Sequence, residues 1–228
     1  MNINNIHDKF FKNVLSDINI AKNFISSFLD PDVLQHINIE TLKYAETDFL
    51  LQDLKEIFSD MVFTVNKTDD KEIYISIILE HKSRPDDFTA VQLLLYIAYG
   101  YYKQYKNTRS LQLILPIVFY HGKQKWIFKS IDDLMGDLPQ ELKQFTPVLK
   151  TVFIDLKNFS VEQLDSLGDS LLTSILLLEK YAFKPDELAK KIKLIYEKLN
   201  SVSDRNLLYP IIVYSLKLIK INIVKQII

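Results

Sequence analysis

The sequence predicts an α/β fold in which a central mixed β-sheet is flanked by helices and followed by a helical C-terminal extension. Two apolar runs, Met61–Val65 and Ile73–Leu79, flank the polar turn Asn66–Glu72, a pattern that is typical of a β-hairpin. A helical pattern over residues 88–107 separates this hairpin from the apolar run Leu111–Tyr120. Because a helix between two strands is the usual crossover connection, we expect that last run to join the sheet as a parallel strand.

The remaining elements follow from apolar periodicity and from helix stop signals. Phe10, Phe11, Val14 and Leu15 recur at helical spacing, and Asp30-Pro31 ends the next helical pattern. The other predicted elements, in chain order, are a helix over Ile20–Leu29, a strand between Val33 and Tyr44, a helical turn from Thr47 to Leu54, a helical region from Ser130, a strand over Thr151–Leu156, and helices over Val161–Tyr181, Lys184–Leu199 and Asp204–Lys220. Pro210 predicts a kink or a break in the last of these helices.

The change from mixed to purely helical patterns predicts two parts, a domain over residues 1–158 and a helical extension over residues 159–228. The chain ends in LKLIKINIVKQII, which is too apolar to be left in water. We expect it to pack either on the body of the protein or on a second subunit. In the second case the protein would be a homodimer. No flexible linker separates the two parts, so we expect them to dock.

The amino-acid composition limits the classes of function that the chain can have. The chain has 228 residues, of which 48% are hydrophobic and 12% aromatic, enough for a substantial core. The absence of cysteine excludes disulfides, thiolate catalysis and Cys-based zinc sites. The formal charge of −1 requires any nucleic-acid-binding surface to be local. No apolar run is long enough for a membrane span and the polar start is not a signal peptide, so we expect a cytoplasmic protein that does not bind membranes.

The ends of the predicted hairpin carry the residues with the clearest chemistry. Asp60 opens the first run, and Glu80 and Lys82 close the second. In antiparallel strands these ends meet, so Asp60 and Glu80 can approach although they are twenty positions apart. Since side chains alternate along a strand, Glu80 and Lys82 share a face and His81 points to the other.

Two carboxylates and an amine at one sheet edge suit metal-dependent cleavage of a phosphodiester. A hard cation takes oxygen ligands, here Asp60, Glu80 and the backbone carbonyl of His81, and neutralises charge on the phosphoryl oxygens. We expect Mg²⁺, with Mn²⁺ or Ca²⁺ as alternatives, and Lys82 as the group that orients the attacking water. The alternative is a solvated hairpin end with an ordinary salt bridge.

Four further residues are candidates for accessory roles. Gln92 and Tyr96 are four positions apart and share a helical face. Either Gln92 hydrogen-bonds near the site and Tyr96 faces the nucleic acid, or they are a surface glutamine and a core tyrosine. Asp8 is either a helix cap, which we favour, or an additional group at the metal site. His121 is either a catalytic base or, more commonly for such a position, a capped strand end.

The loop His121–Trp126 is basic and contains an aromatic residue. Lysines and an indole ring suit contact with phosphate and sugar. Lys123, Lys125 and Trp126 are therefore candidate DNA-binding residues.

The order of these segments resembles that of the PD-(D/E)XK nuclease fold. Their amino-acid sequences are similar to those of the Rpn family of recombination-promoting nucleases, also called putative transposases. The similar segments, which cover roughly the first two-thirds of the chain, are HDKFFKNVLSD at 7–17, FSDMVF at 58–63, LEHKSRPDD at 79–87, QLLLY at 92–96 and LPIVFYHGKQKW at 115–126. The resemblance implies a bacterial metal-dependent DNA endonuclease with Asp60 and Glu80 as ligands and Lys82 as the third motif residue. Gln92 and Tyr96 resemble the Gln-x-x-x-Tyr helix of RecB-like nucleases.

Two other function classes remain open. A DNA-binding or oligomerising regulatory module with a vestigial site predicts DNA retention or oligomers without turnover. A plain interaction protein predicts no metal binding.

Overall fold

The computed structural model describes residues 4–45, 61–68, 74–200, 202 and 204–227, and their side chains except those of 4–5, 74–78, 80 and 220–227. The predicted turn over 47–54 and residue 60 lie outside these residues. The helices are α1 (Asn4–Leu15), α2 (Ile18–Phe28), α3 (Pro31–Leu34), α4 (Thr89–Thr108), α5 (Ile131–Leu134), α6 (Gln140–Lys143), α7 (Val161–Asp165), α8 (Ser170–Tyr181), α9 (Pro185–Leu199) and α10 (Arg205–Ile227), with a 3₁₀ turn at Leu156–Asn158. The strands are β1 (Ile37–Tyr44), β2 (Met61–Lys67), β3 (Tyr74–Lys82), β4 (Ile114–Tyr120) and β5 (Val152–Asp155).

Within the described residues these strands form one mixed sheet in the order β1-β2-β3-β4-β5. The predicted hairpin is confirmed, because β2 and β3 pair antiparallel with Met61 opposite Leu79. The predicted crossover is also confirmed: β4 lies parallel to β3, with Lys82 opposite Tyr120, and α4 connects them. The fold is therefore α/β, as the sequence predicts.

The two faces of the sheet bury different clusters of side chains. We call the larger one the main core; it joins α1, α2 and the C-terminal helices to one face of the sheet. The smaller one, the α4-side core, contains Leu93 and Tyr96 of α4 on the opposite face. β4 contributes to both, because Ile117 and Phe119 point into the main core whereas Val118 and Tyr120 point into the α4-side core.

Local sequence signals set several helix ends. The Asp17 carboxylate accepts hydrogen bonds from the first turn of α2, and Asp30 does the same for α3, which has Pro31 in its first turn. The predicted single helix Val161–Tyr181 is wrong. The chain leaves α7 through Gly168, whose φ of +77° is left-handed, and the Asp169 side chain then caps α8.

Two other predicted helical regions have different bounds in the structure. The region from Ser130 contains only the short α5 and α6 before β5. α10 continues through Pro210 to Ile227. Tyr214 of this helix stacks on Phe10 of α1 at 3.8 Å between ring centroids. Leu218, within the apolar C-terminal segment, is 2% exposed and packs in the main core of the protein. No helix within the described ranges combines the length and the apolar character needed to cross a membrane.

Candidate active site at the end of strand β3

Lys82 is the last residue of β3, and its ammonium group is held between two elements. Nζ donates a hydrogen bond to Oε1 of Gln92 on α4 at 3.2 Å and contacts Oδ2 of Asp86 at 3.3 Å. The side chain of Lys82 is only 17% exposed. The amine is therefore fixed at the carboxyl end of a central strand instead of extending into solvent.

Gln92 and Tyr96 continue this network along α4. They lie one turn apart, and Nε2 of Gln92 hydrogen-bonds the Tyr96 hydroxyl group. Tyr96 is 1% exposed and belongs to the α4-side core, so the rigid packing of its ring positions the hydroxyl. The two alternatives for this pair are each met in part: Gln92 hydrogen-bonds the Lys82 amine, whereas Tyr96 is a core tyrosine and does not face outward toward nucleic acid.

Asp86 is a member of this site that sequence reasoning did not single out. Its Oδ1 accepts a hydrogen bond from the backbone N–H of Phe88 at 3.0 Å, and its Oδ2 faces Lys82. The same carboxylate thus shapes the entry to α4 and holds the amine. Its position four residues after Lys82, in the turn segment SRPDD, was the available signal.

The two predicted carboxylate ligands are not placed by the structure. Asp60 lies outside the described residues, and only the backbone of Glu80 is described. Met61, which follows Asp60 in sequence, pairs with Leu79, and the backbone of Glu80 lies opposite Val118 of the α4-side core. The convergence of Asp60, Glu80 and Lys82 therefore remains a prediction.

The predicted alternation at the end of β3 is confirmed for His81 and Lys82. The His81 ring faces the main core, where it stacks on Phe11 at 4.3 Å and on His121 at 4.6 Å between centroids. Burial, and then the neighbouring His121, holds the pKa of His81 well below its usual value. His81 is therefore a neutral, buried side chain on the face opposite Lys82.

His121 is not brought to the Lys82 site. It is 2% exposed, lies on the His81 face and places Nδ1 2.7 Å from Oε2 of Glu179 on α8. Its backbone N–H donates to the carbonyl of Lys82 at 3.2 Å, so the loops after β3 and β4 run side by side. Gly122 is required there, because a Cβ atom at this position would lie 2.3 Å from the carbonyl oxygen of Ser83.

Asp8 does not cap a helix, which corrects the favoured sequence interpretation. α1 begins at Asn4, so Asp8 lies in its second turn, and its carboxylate forms an ion pair with Lys12 at 3.1 Å. The structure does not bring Asp8 to Lys82 or Gln92.

The loop after β4 has the predicted lysines on its surface but not the predicted exposed aromatic. Lys123 and Lys125 are exposed, whereas Trp126 is 5% exposed. The indole ring packs edge-on against Tyr120 and Phe153 within the α4-side core. The expectation of a tryptophan available for stacking on DNA is therefore corrected, and the two lysines remain candidates.

The fold and this site define an α/β protein with a lysine-glutamine-tyrosine network at the carboxyl end of a central strand. The family described as "Putative transposase, YhgA-like" matches residues 5–207, and the chain belongs to this family. No solved structure matches the chain.

Curated relatives align over part of the chain. It is 30% identical over 120 residues, 52% of this chain and 46% of the relative, to the recombination-promoting nuclease RpnD of Escherichia coli O157:H7. It is 30% identical over 117 residues, 51% of this chain and 40% of the relative, to the recombination-promoting nuclease RpnA of Escherichia coli K12. It is also 29% identical over 118 residues, 51% of this chain and 39% of the relative, to the inactive recombination-promoting nuclease-like protein RpnE of the same strain. The aligned part is thus less than half the length of each of these relatives.

Proposed function

We propose that this chain is a metal-dependent DNA endonuclease that hydrolyses phosphodiester bonds on a PD-(D/E)XK-like core. The observation that carries the proposal is the Lys82 amine, fixed by Gln92 at the carboxyl end of β3 with Tyr96 behind it. A strand ending in Glu-x-Lys beside a Gln-x-x-x-Tyr helix is the arrangement that the resemblance to nucleases implies. The names of RpnD and RpnA support the same reaction class.

In this proposal Asp60, Glu80 and the backbone carbonyl of His81 hold Mg²⁺, with Mn²⁺ or Ca²⁺ as substitutes. Carboxylate and carbonyl oxygens are the hard ligands that these cations prefer, so the donor set fits. The bound cation would supply Lewis-acid stabilisation of charge on the phosphoryl oxygens.

The chain's own residues would position the nucleophile. The Lys82 ammonium donates hydrogen bonds to the attacking water and to phosphoryl oxygens, and Gln92 together with Asp86 keeps Nζ from rotating away. Lys123 and Lys125 lie on the neighbouring loop and would contact the DNA backbone. A local basic loop is needed because the chain as a whole carries a formal charge of −1.

The test is cleavage of supercoiled plasmid by purified protein, with Mg²⁺ and then with excess EDTA. We expect nicking that needs the cation and that is lost in Asp60→Asn and Glu80→Gln, each with an unchanged circular dichroism spectrum. Glu141→Gln, an exposed carboxylate on α6, is the matched control and should cut normally. Undiminished cutting by both site variants would refute the assignment.

A second candidate function is a DNA-binding module whose nuclease site has lost activity. The similarity to RpnE, which is named inactive, is the observation that favours it. This alternative predicts a gel shift with DNA, no nicking under any divalent cation, and equal DNA affinity for wild type and Asp60→Asn.

A further inference from the structure

A second polar cluster lies on the opposite face of the sheet from Lys82, inside the main core. His7 of α1, His121 directly after β4, and Glu179 in the last turn of α8 are 1%, 2% and 0% exposed. Each offers a ligand atom, and these atoms all lie within 4.8 Å of one another. Residues far apart in the chain therefore place three metal-binding groups in one buried volume.

Two members of this cluster, Glu179 and His121, carry buried polar atoms that the protein satisfies poorly. Both carboxylate oxygens of Glu179 and Nε2 of His121 are buried without a hydrogen-bond partner among the described residues. Oε2 lies 2.7 Å from His121 Nδ1, a close approach that lacks hydrogen-bond geometry. A buried carboxylate in this state destabilises the folded protein, since desolvation of an ionised group must be offset by a cation or by good hydrogen bonds.

In the part of the chain that the structure describes, the surroundings supply no cation to this carboxylate. Phe183 packs against both His7 and His121, and Phe11 covers His81 next to them. His81 places Nε2 4.0 Å from Oε2 of Glu179. Within the described residues the groups around Glu179 are thus imidazoles, aromatic rings and the Tyr214 hydroxyl group, without a lysine or an arginine within ion-pair distance.

The donor set fits a transition metal better than Mg²⁺. Two imidazoles and one carboxylate form a known zinc ligand set, and nitrogen donors favour Zn²⁺, Co²⁺ or Ni²⁺ over hard cations. Ligand atoms around a tetrahedral zinc lie about 3.3 Å apart, so closing the site needs movements of roughly 1 Å or more.

The shell around these groups is also of the kind that metal sites use. The hydroxyl group of Tyr214 on α10 lies 2.5 Å from Nδ1 of His7. Such a contact fixes the orientation of a ligating imidazole and determines which ring nitrogen is available. Burial, the charge of Glu179 and a hydrogen bond to its side chain raise the pKa of Tyr214 well above its usual value.

We propose that His7, His121 and Glu179 form a binding site for a divalent transition metal such as Zn²⁺. The site would connect α1, the end of β4 and α8 within the main core, on the face of the sheet opposite the Lys82 amine. It is distinct from the Mg²⁺ site proposed at Asp60 and Glu80, which uses oxygen ligands alone.

The experiment uses the full chain carrying Asp60→Asn and Glu80→Gln, so that the proposed nuclease site cannot contribute. After removal of metals with a chelator, Co²⁺ is added and followed by visible absorption, and Zn²⁺ is added and followed by calorimetry. We expect one equivalent of either ion, and a rise in Tm of roughly 5 °C or more when free Zn²⁺ exceeds Kd a hundredfold.

Glu179→Gln keeps the shape of the side chain and should abolish binding, as should His121→Ala. His36→Ala, which removes an exposed histidine, is the matched control and should bind one equivalent. If a variant does not fold, the test is a proton NMR spectrum of the parent chain, which carries only Asp60→Asn and Glu80→Gln, loaded with Co²⁺. Paramagnetically shifted imidazole N–H signals from two histidines support the site, and their absence overturns it. Equal Zn²⁺ binding by folded Glu179→Gln, or no binding by the parent, also overturns the proposal.

Discussion

The hydrogen bond between Lys82 and Gln92 provides the sharpest test of how the site at the end of β3 works. Gln92→Leu preserves side-chain volume but removes both the acceptor for the Lys82 amine and the donor to the Tyr96 hydroxyl group. If Lys82 positions the attacking water, loosening its amine should slow cleavage without abolishing it. Lys82→Met, in contrast, removes the positioning group altogether.

The expected loss of activity can be estimated from the hydrogen bond between Lys82 and Gln92. A hydrogen bond to a charged group contributes about 1.5–3 kcal/mol. The lower end applies here, because the N···O distance of 3.2 Å is long and Asp86 still holds the Lys82 amine after the change. About 1.5 kcal/mol corresponds to a fall in kcat/KM of roughly tenfold for Gln92→Leu. Lys82→Met should cost roughly 10²–10³-fold in kcat, the usual effect of removing one positioned hydrogen-bond donor from an active site.

The assay is the initial rate of plasmid nicking under Mg²⁺, measured with each variant at equal folded concentration. Tyr96→Phe, which leaves the Gln92 acceptor in place, should lose only about threefold. Gln144→Leu, at an exposed glutamine of the turn after α6, should match the wild type. Equal rates for Gln92→Leu and Gln144→Leu, with both proteins folded, would show that the contact has no part in cleavage.

Three further predictions concern stability. Phe11→Ala, at a fully buried ring, should lower the free energy of unfolding in urea by about 3–5 kcal/mol, whereas Phe145→Ala, 78% exposed, should leave it nearly unchanged. Gly122→Ala should lower it by about 1–3 kcal/mol through the clash with Ser83, and unchanged stability would contradict that close approach. Burial raises the pKa of Tyr44 to about 12, so the unfolding free energy should fall as pH rises from about 10 to 12, and Tyr44→Phe should reduce that slope.

The parts of the fold that depend on local pattern could be predicted from the sequence. Apolar runs around a polar turn gave the β2–β3 hairpin, and the helical pattern between strands gave the α4 crossover with β4 parallel to β3. Lys82, Gln92 and Tyr96 could be related because strand and helix periodicities fix which side chains share a face. Their contact then follows from the packing of α4 on the sheet.

The parts that depend on a single backbone conformation or on long-range contacts could not be predicted. The apolar pattern runs on from α7 into α8, so only the left-handed Gly168 and the capping Asp169 reveal the break. The lysines near Trp126 indicate an exposed loop, but the indole ring is buried and completes the α4-side core. The contact of His121 with Glu179 joins residues 58 positions apart, and no spacing rule covers it.

This long-range cluster bears on the predicted boundary near residue 158. Leu176 of α8, Ile195 of α9 and Leu218 of α10 share the main core with Phe11 of α1 and Phe119 of β4, all nearly fully buried. A fragment ending at 158 would expose that face of the sheet to water and leave the buried histidines without Glu179. Since burial of apolar area is the dominant stabilising contribution, the helices after 159 complete the core of the first part. We therefore interpret residue 158 as the point where the topology changes from mixed to helical, and the division into two domains stays a prediction.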